Sequence, residues 1–344
     1  MKTRAAVLDG PGRLVVRDQT LRAPRRSELL IAVEAAGVMF AEVQMALGRY
    51  PGQPRFPFVP GYDLVGTVVD GPRAGQRVAA MTRHGAWAEL VVRPARQVVE
   101  VPAGLAPADA VALVTNGVTA YQLLHRSARV RPGETVLVLG ASGGVGTLLT
   151  QLAVAAGATV IGTASPAKHH AVRGFGATPV DYHGPGLPDR VRALAPDGVD
   201  VVLDPIGGPG FDDSWRLLAP GGRLVWYGSQ STLHATGVRF APAIVALRKI
   251  AAWNARSRLR RDGRRASLYY VRNGTRAFRT DLATVLDEAA AGRLSSAVSA
   301  RYALDQAREA LTALSDGRIT GKAVLEISGR GRALGAGAED LQGV

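Results

Sequence analysis

Cysteine is absent from the 344 residues, which excludes disulfides, a thiolate nucleophile and any cysteine-ligated zinc centre. Long apolar runs are absent as well. No stretch approaches the roughly 18 uninterrupted apolar residues of a spanning helix, so no integral membrane span is expected. No apolar run follows the charged start MKTR, so a secretory leader is not expected either, and the chain is read as cytoplasmic. Histidine is scarce at six residues. Its one adjacent pair, His169 and His170, diverges on a helix, which suits a solvated face better than a metal site. What the chain does have is length and an ordinary apolar content of 47%, enough for two domains with buried cores.

Acidic residues are nearly missing from one segment. Between Arg248 and Arg279 eleven Lys and Arg stand against Asp262 alone, a net +10 of the formal +14, so the basic character is local and the remainder is close to balanced. Nucleic acid is not the expected partner, because no aromatic residue interleaves the central run RSRLRRDGRR for base stacking. The strip at 248–279 fits either a solvated connection or a docking surface for an acidic carrier protein or an anionic membrane.

The first hundred or so residues alternate apolar and polar positions in runs such as RLVVRD, ELLIAVEAAGV and DLVGTVVD, divided by Gly, Pro and charge. That pattern predicts a mostly antiparallel β domain. From Pro107 the period lengthens from two to about 3.6, predicting two helical pieces around Asn116 and Gly117. At Thr135–Gly157, TVLVLGASGGVGTLLTQLAVAAG, a buried-strand run passes through a turn of small residues into a helix that ends at Gly157. Ala141, Gly143 and Gly146 form an A-x-G-x-x-G turn, with alanine where the first glycine of a dinucleotide fingerprint usually stands. Gly143 and Gly144 leave room for a pyrophosphate at the backbone, flanked by Ser142 and Val145, and Gly146 lets the helix pack on the strand. TVIGTA, TPVDY, VDVVLD and RLVWYG then alternate with helical patterns, predicting a doubly wound parallel sheet. SLYYVR predicts a further strand, RAFRTDLATVLDEAAAGRL and Leu304–Asp316 two helices, and GKAVLEI a last strand. Residues 329–344, rich in Gly and Ala, are expected to be disordered.

With PGYDLVGTVV, GAWAELVV, NGVTAY, GASGGVG, DPIGG, GGRLVWYG and GKAVLEI in this order, the chain resembles the medium-chain dehydrogenase/reductase superfamily. Within it, the resemblance is to the zinc-independent quinone oxidoreductase branch that includes zeta-crystallin and the VAT-1-like proteins, and it runs from Met1 to about Ile327. It implies an α/β fold in which a Rossmann-type doubly wound parallel sheet domain, 117–277, is inserted into a GroES-like mostly antiparallel β domain, 1–116 plus 278–328. The zinc-ligand positions of related alcohol dehydrogenases correspond to Met39 and to Tyr62-Asp63, and their four-cysteine lobe has no counterpart between Ala80 and Pro102. Met and Tyr are poor zinc ligands, so no metal is expected.

NAD-binding units place an acid about 20 positions past the glycine turn, on the ribose 2′-OH. Here the second strand ends in Thr163-Ala164-Ser165. Ser165 and Lys168 are similar to family residues that hold a 2′-phosphate, and Tyr182 to a tyrosine beside the adenosine phosphate, so the cofactor implied is NADPH. Ser165 also fits an ordinary N-cap and Lys168 a surface lysine. By the same resemblance Asn116 and Thr119 line the nicotinamide, with Asp204, Ile206, Tyr227, Gly228 and Ser229 on loops at the carboxyl ends of strands. Met39, Phe40, Glu42, Gln44 and Tyr50 fall where quinone reductases line the substrate pocket, although those commonly carry Asn for Met39 and Asp for Glu42. Tyr50 is the proton-donor candidate, with Thr119 a second donor toward an enolate; a buried structural tyrosine is the alternative. No Ser-His-Asp arrangement stands out, which suits hydride transfer. The activity implied is NADPH-dependent reduction of a conjugated carbonyl, namely a quinone, enone or enoyl thioester. The alternative is a non-redox cyclase or isomerase, or a cofactor-sensing binding protein. SLYYVR matches the edge strand through which family members pair, so a homodimer is expected.

Overall fold

The computed structural model describes residues 1–228, 230 and 241–327, so the expectations for Ser229 and for the tail from 329 lie outside the described residues. The chain forms two compact units, residues 1–118 with the described residues from Arg272 on, and Thr119–Val271. The first opens with the antiparallel hairpin β1 (Lys2–Gly10) and β2 (Arg13–Thr20). β3 (Glu28–Val38), α1 (Phe40–Ala46), β4 (Asp63–Val68), β5 (Arg77–Met81), β6 (Leu90–Pro94), β7 (Val99–Glu100) and α2 (Pro107–Gln122) follow. The second unit runs β8 (Thr135–Val138), α3 (Gly144–Ala155), β9 (Thr159–Ala164), α4 (His169–Gly174), β10 (Thr178–Asp181) and α5 (Leu187–Arg192). It continues with β11 (Val199–Asp204), α6 (Phe211–Arg216), β12 (Leu218–Trp226), α7 (Ala241–Arg260) and β13 (Arg265–Leu268). α8 (Arg276–Ala290), β14 (Val298–Ala303), α9 (Ala307–Ser315) and β15 (Lys322–Glu326) return to the first unit.

In the first unit a seven-stranded sheet has the order β14-β15-β3-β4-β5-β7, with β6 also on β3. All its pairs are antiparallel except β14 with β15. β3 is central, and most of its residues are buried on both faces, whereas β14 alternates half-buried and exposed positions, the period-two signature of a one-sided strand. The two helical pieces expected around Gly117 are one helix, α2. Glycine is tolerated mid-helix because α8 packs there: a Cβ on Gly117 would lie 2.7 Å from Val285 Cγ1.

The second unit is the expected doubly wound parallel sheet, β10-β9-β8-β11-β12-β13. Strand order reverses between β8 and β11, the switch point at which such sheets bind ligands. Two features depart from the sequence expectation. The basic strip begins inside a 20-residue helix, α7, whose buried residues Ala246, Ile250, Trp253 and Ser257 form a single narrow stripe among arginines. Ala246, Ile250 and Trp253 pack with Phe211 and Trp226 in the core of the unit. The strand expected from Ser267 starts earlier and stops at Leu268, because β12 ends at Trp226, whose carbonyl takes the Tyr269 N–H at 2.8 Å as the last rung. Among the described residues no helix is long and apolar enough to cross a membrane.

Candidate functional site

The glycine turn is built from backbone contacts. Gly140, with φ of 67°, bends the chain off β8, and the Gly143 N–H closes the turn on Gly140 O at 2.9 Å. Thr163 on β9 pins it twice: its hydroxyl accepts the Gly140 N–H at 2.9 Å and its carbonyl accepts the Ala141 N–H at 2.9 Å. A Cβ at Gly146 would lie 2.2 Å from Gly140 O, so the first turn of α3 reaches the strand only with hydrogen at that position. Gly143 is the N-cap of α3, and the first amides of the helix, at Gly144, Val145 and Gly146, have no intrahelical acceptor and are free to meet an anion. The glycine that makes the bend is Gly140; the A-x-G-x-x-G spacing assigns that place to Ala141 and passes over it. Ser142, Gly143, Gly144 and Val145 are half-buried around the cradle.

Asp181 and Ala164 are register partners on β10 and β9, so the residues that follow them, Tyr182 and Ser165, emerge at the same edge. Ser165 occupies an N-cap position, yet its hydroxyl makes no cap hydrogen bond. Lys168 ends the 3-10 turn that follows, and partial burial lowers its ammonium from the ordinary lysine value. Tyr182 is exposed and stacks on His183, ring centroids 4.3 Å apart, while the Asp181 carboxylate takes the His183 Nδ1 at 2.7 Å.

At the end of β11 the Asp204 carboxylate is fully engaged within the protein. Its Oδ1 accepts the Ile206 and Gly207 N–H groups at 2.7 and 2.9 Å, and its Oδ2 accepts the Ser214 hydroxyl at 2.8 Å. Burial raises its pKa and these three hydrogen bonds oppose the rise. Asp204 thus shapes the loop, with both carboxylate oxygens hydrogen-bonded within the protein. The Tyr227 N–H donates to Asp204 O at 2.9 Å, and burial, then the Asp204 charge, push the Tyr227 phenol up. Gly228 follows, half-buried. Asn116 and Thr119 are both buried on α2, three positions apart and therefore on one helical face.

Within the first unit the substrate-pocket candidates gather on α1. The Met39 N–H donates to Glu42 Oε2 at 2.8 Å, which fixes the first turn, and Gln44 is buried while Phe40 and Tyr50 are half-buried. Glu42 is wholly buried and its Oε1 has no hydrogen-bond partner among the described residues. Burial, then the Asp63 charge, push Glu42 up to about 8 against the pull of Lys322. Asp63 accepts the Gly37 N–H at 3.1 Å and faces the Lys322 Nζ at 3.8 Å, both side chains being almost inaccessible. Lys322 acts on both carboxyl groups, and a Glu42 held as the neutral acid leaves it paired with Asp63 alone. The Tyr50 hydroxyl donates to the Tyr62 hydroxyl at 2.9 Å. The reading of Tyr62 as the occupant of a lost ligand position misses this pair, and misses Lys322, whose one signal is a lysine heading the apolar run KAVLEI. Among the described residues no three His, Cys, Asp or Glu side chains are grouped to hold a metal.

Comparison with known proteins gives two family matches, the alcohol dehydrogenase GroES-like domain at residues 25–103 and zinc-binding dehydrogenase at residues 175–325. Over 243 residues the chain is 36% identical to the synaptic vesicle membrane protein VAT-1 homolog of Homo sapiens, covering 67% of this chain and 62% of that one. The chain spans about three fifths of the length of the first curated relatives it matches. It is similar to the structure of a mycobacterial quinone oxidoreductase at 30% identity and a TM-score of 0.76, covering 94% of this chain and 99% of the other. A mycobacterial protein complexed with NADPH is similar at 30% identity and a TM-score of 0.77, with the same coverage of 94% and 99%.

Proposed function

This chain belongs to the medium-chain dehydrogenase/reductase superfamily, in its zinc-independent quinone oxidoreductase and VAT-1-like branch, and on that premise we propose that it is an NADPH-dependent reductase of a conjugated carbonyl, a quinone, enone or enoyl thioester. The observation that carries the reading is the backbone cradle at the switch point, where only hydrogen fits at Gly146, 2.2 Å from Gly140 O for any added Cβ. The free amides of Gly144, Val145 and Gly146 would hold the pyrophosphate, with Gly143 and Ser142 leaving room for it at the turn. Ser165, whose hydroxyl is not used as a cap, Lys168 and Tyr182 would hold the 2′-phosphate end, and Asn116, Thr119 and the loops after β11 and β12 the nicotinamide. When bound, NADPH supplies hydride.

The protein's own part is orientation and proton management. Met39 and Tyr62 are poor ligands for zinc, and the Lys322 ammonium already answers the Asp63 charge, so polarisation of a carbonyl falls to hydrogen-bond donors. Tyr50 carries a proton at its hydroxyl, and Tyr62, held in place by burial, can donate back to the Tyr50 oxygen once that proton has gone. A neutral Glu42 where the branch commonly has Asp favours a second reading, a relative that binds the cofactor without net redox chemistry. Consumption of NADPH, followed by its absorbance against a panel of quinones, enones and enoyl thioesters, tests the two. Turnover with one class supports the reductase; binding without consumption across the whole panel overturns it and leaves the cyclase, isomerase or cofactor sensor.

A further inference from the structure

The Thr119–Val271 unit has a cavity remote from the glycine turn. Helices α6 and α7 end there at Arg216 and Arg260, and β12 and β13 begin at Leu218 and Arg265. In a parallel sheet this is the edge opposite to the one that carries Gly140–Gly146. The cavity has a volume of about 270 Å³, and Trp215, Arg216, Trp253, Arg256, Arg260 and Arg264 line it. Trp215 and Trp253 stack with centroids 5.2 Å apart and planes 5° apart, so a parallel pair of indoles borders the pocket.

Charge around the cavity is unbalanced. Two carboxylates also line it, Asp212 and Asp262, and both are engaged. Asp212 Oδ2 takes the Lys249 Nζ at 2.6 Å, and Asp262 Oδ1 accepts the Ser257 hydroxyl and, at 3.1 Å, the Arg264 N–H. Arg264 Nε donates to Ala219 O at 3.3 Å and Arg216 reaches Asp213 at 3.4 Å. Arg256 makes no hydrogen bond or ion pair with a described residue, and Arg260 acts on Asp262 only through its field. Arg256 and Arg260 are four residues apart on α7, so their guanidinium groups share a face. A basic residue in a last helical turn answers the helix dipole. That accounts for one arginine at each helix end and not for four converging on a cavity walled by stacked indoles. Guanidinium forks match phosphate oxygens in shape and charge, and indole faces take flat rings.

We propose that this pocket binds a small aromatic phosphate monoester, with the phosphate held by Arg256 and Arg260 and the ring set against Trp215. The site is independent of the cofactor site and of any reductase activity. Phenyl phosphate is the probe, and intrinsic tryptophan fluorescence, with Trp215 and Trp253 in the pocket, is the readout at constant ionic strength. A saturable fluorescence change is expected, weakened at least roughly tenfold in the double variant R256Q/R260Q, the scale for loss of hydrogen bonds to a charged group. Excess NADPH should leave it unaltered. Both arginines are exposed, and an unchanged melting temperature establishes that the variant is folded. Four outcomes overturn the proposal: no saturable response, equal response to phenol, displacement by NADPH, or equal affinity in the double variant. Retention of an acidic carrier protein through Arg256 and Arg260 without phenyl phosphate binding overturns it in favour of a protein-docking face.

Discussion

The Tyr50 hydroxyl donates to the Tyr62 hydroxyl at 2.9 Å across rings set edge to face, 5.9 Å between centroids and 83° between planes. The two differ in freedom. Tyr62 is buried and its carbonyl receives the Thr82 N–H at 2.7 Å, whereas Tyr50 is half-buried just after α1. Tyr62→Phe keeps the ring and removes the partner oxygen. If Tyr50 gives up a proton in the reaction, kcat should fall roughly tenfold, the worth of a hydrogen bond to a charged group, with the KM for NADPH unchanged. Tyr50→Phe should cost more, about 10²-fold or above, as for loss of a general acid. Steady-state kinetics with the solvent isotope effect on kcat check this. Unchanged kcat in both variants would make the pair a packing feature alone.

Cofactor choice is read at Ser165 and Lys168. Lys168→Ala should weaken NADPH by about 1.5–3 kcal/mol and hardly affect NADH. Titration calorimetry with both cofactors decides; equal loss for the two would remove Lys168 from the 2′-phosphate site.

Gly146→Ala places a methyl where the gap to Gly140 O is 2.2 Å, so α3 must back away from the turn. Overpacking of this kind costs about 1–3 kcal/mol. A lower melting temperature together with weaker NADPH binding is expected; retention of both at wild-type values would show that the cradle relaxes without consequence.

Glu42 gives the stability a pH dependence with a definite sign. Its native pKa is raised to about 8 from the ordinary glutamate value of 4.5, so between those values the native state holds a proton that the unfolded state has released. The contribution is fully present below the unfolded value and is lost as pH rises through the native one. Glu42→Gln removes the titration. Its stability relative to wild type should therefore rise with pH from 5 toward 8, at a limiting slope of about 1.4 kcal/mol per unit. Urea midpoints at the two ends of that range measure it, and a difference that does not vary with pH would show that Glu42 does not titrate there.

A homodimer formed through β13 is the remaining expectation. Among the described strands β13 is an edge, with Leu268 and Tyr270 exposed at 49% and 55%. The Tyr269 N–H turns inward to Trp226 O, so by alternation the Leu268 N–H faces outward. Leu268→Pro removes that donor and should yield monomer or aggregate by light scattering, against a wild-type dimer. An unaltered dimer would place the interface elsewhere.

How much of this is legible in the sequence depends on the distance over which each feature is encoded. α7 is hard to see because its core contact is one stripe, Ala246, Ile250, Trp253 and Ser257, and the arginines around it hide the helical period. α2 is seen as two pieces because Gly117 looks like a break until Val285 is known to lie 2.7 Å from its missing Cβ. The strand at SLYYVR is found, but its register waits on where β12 ends.

By itself the sequence determines the alternating strands of the first unit, the parallel character of the second and the place of the glycine turn. Each is set by a period or a spacing within a few turns of chain, and propensity and burial act locally there. Only the tertiary structure decides that Tyr50 meets Tyr62, that Lys322 lies beside Asp63, that the bend falls at Gly140, and that Trp215 stacks on Trp253 amid arginines. Those relationships are fixed by strand pairing and helix packing between residues far apart in the chain, and no local pattern carries them.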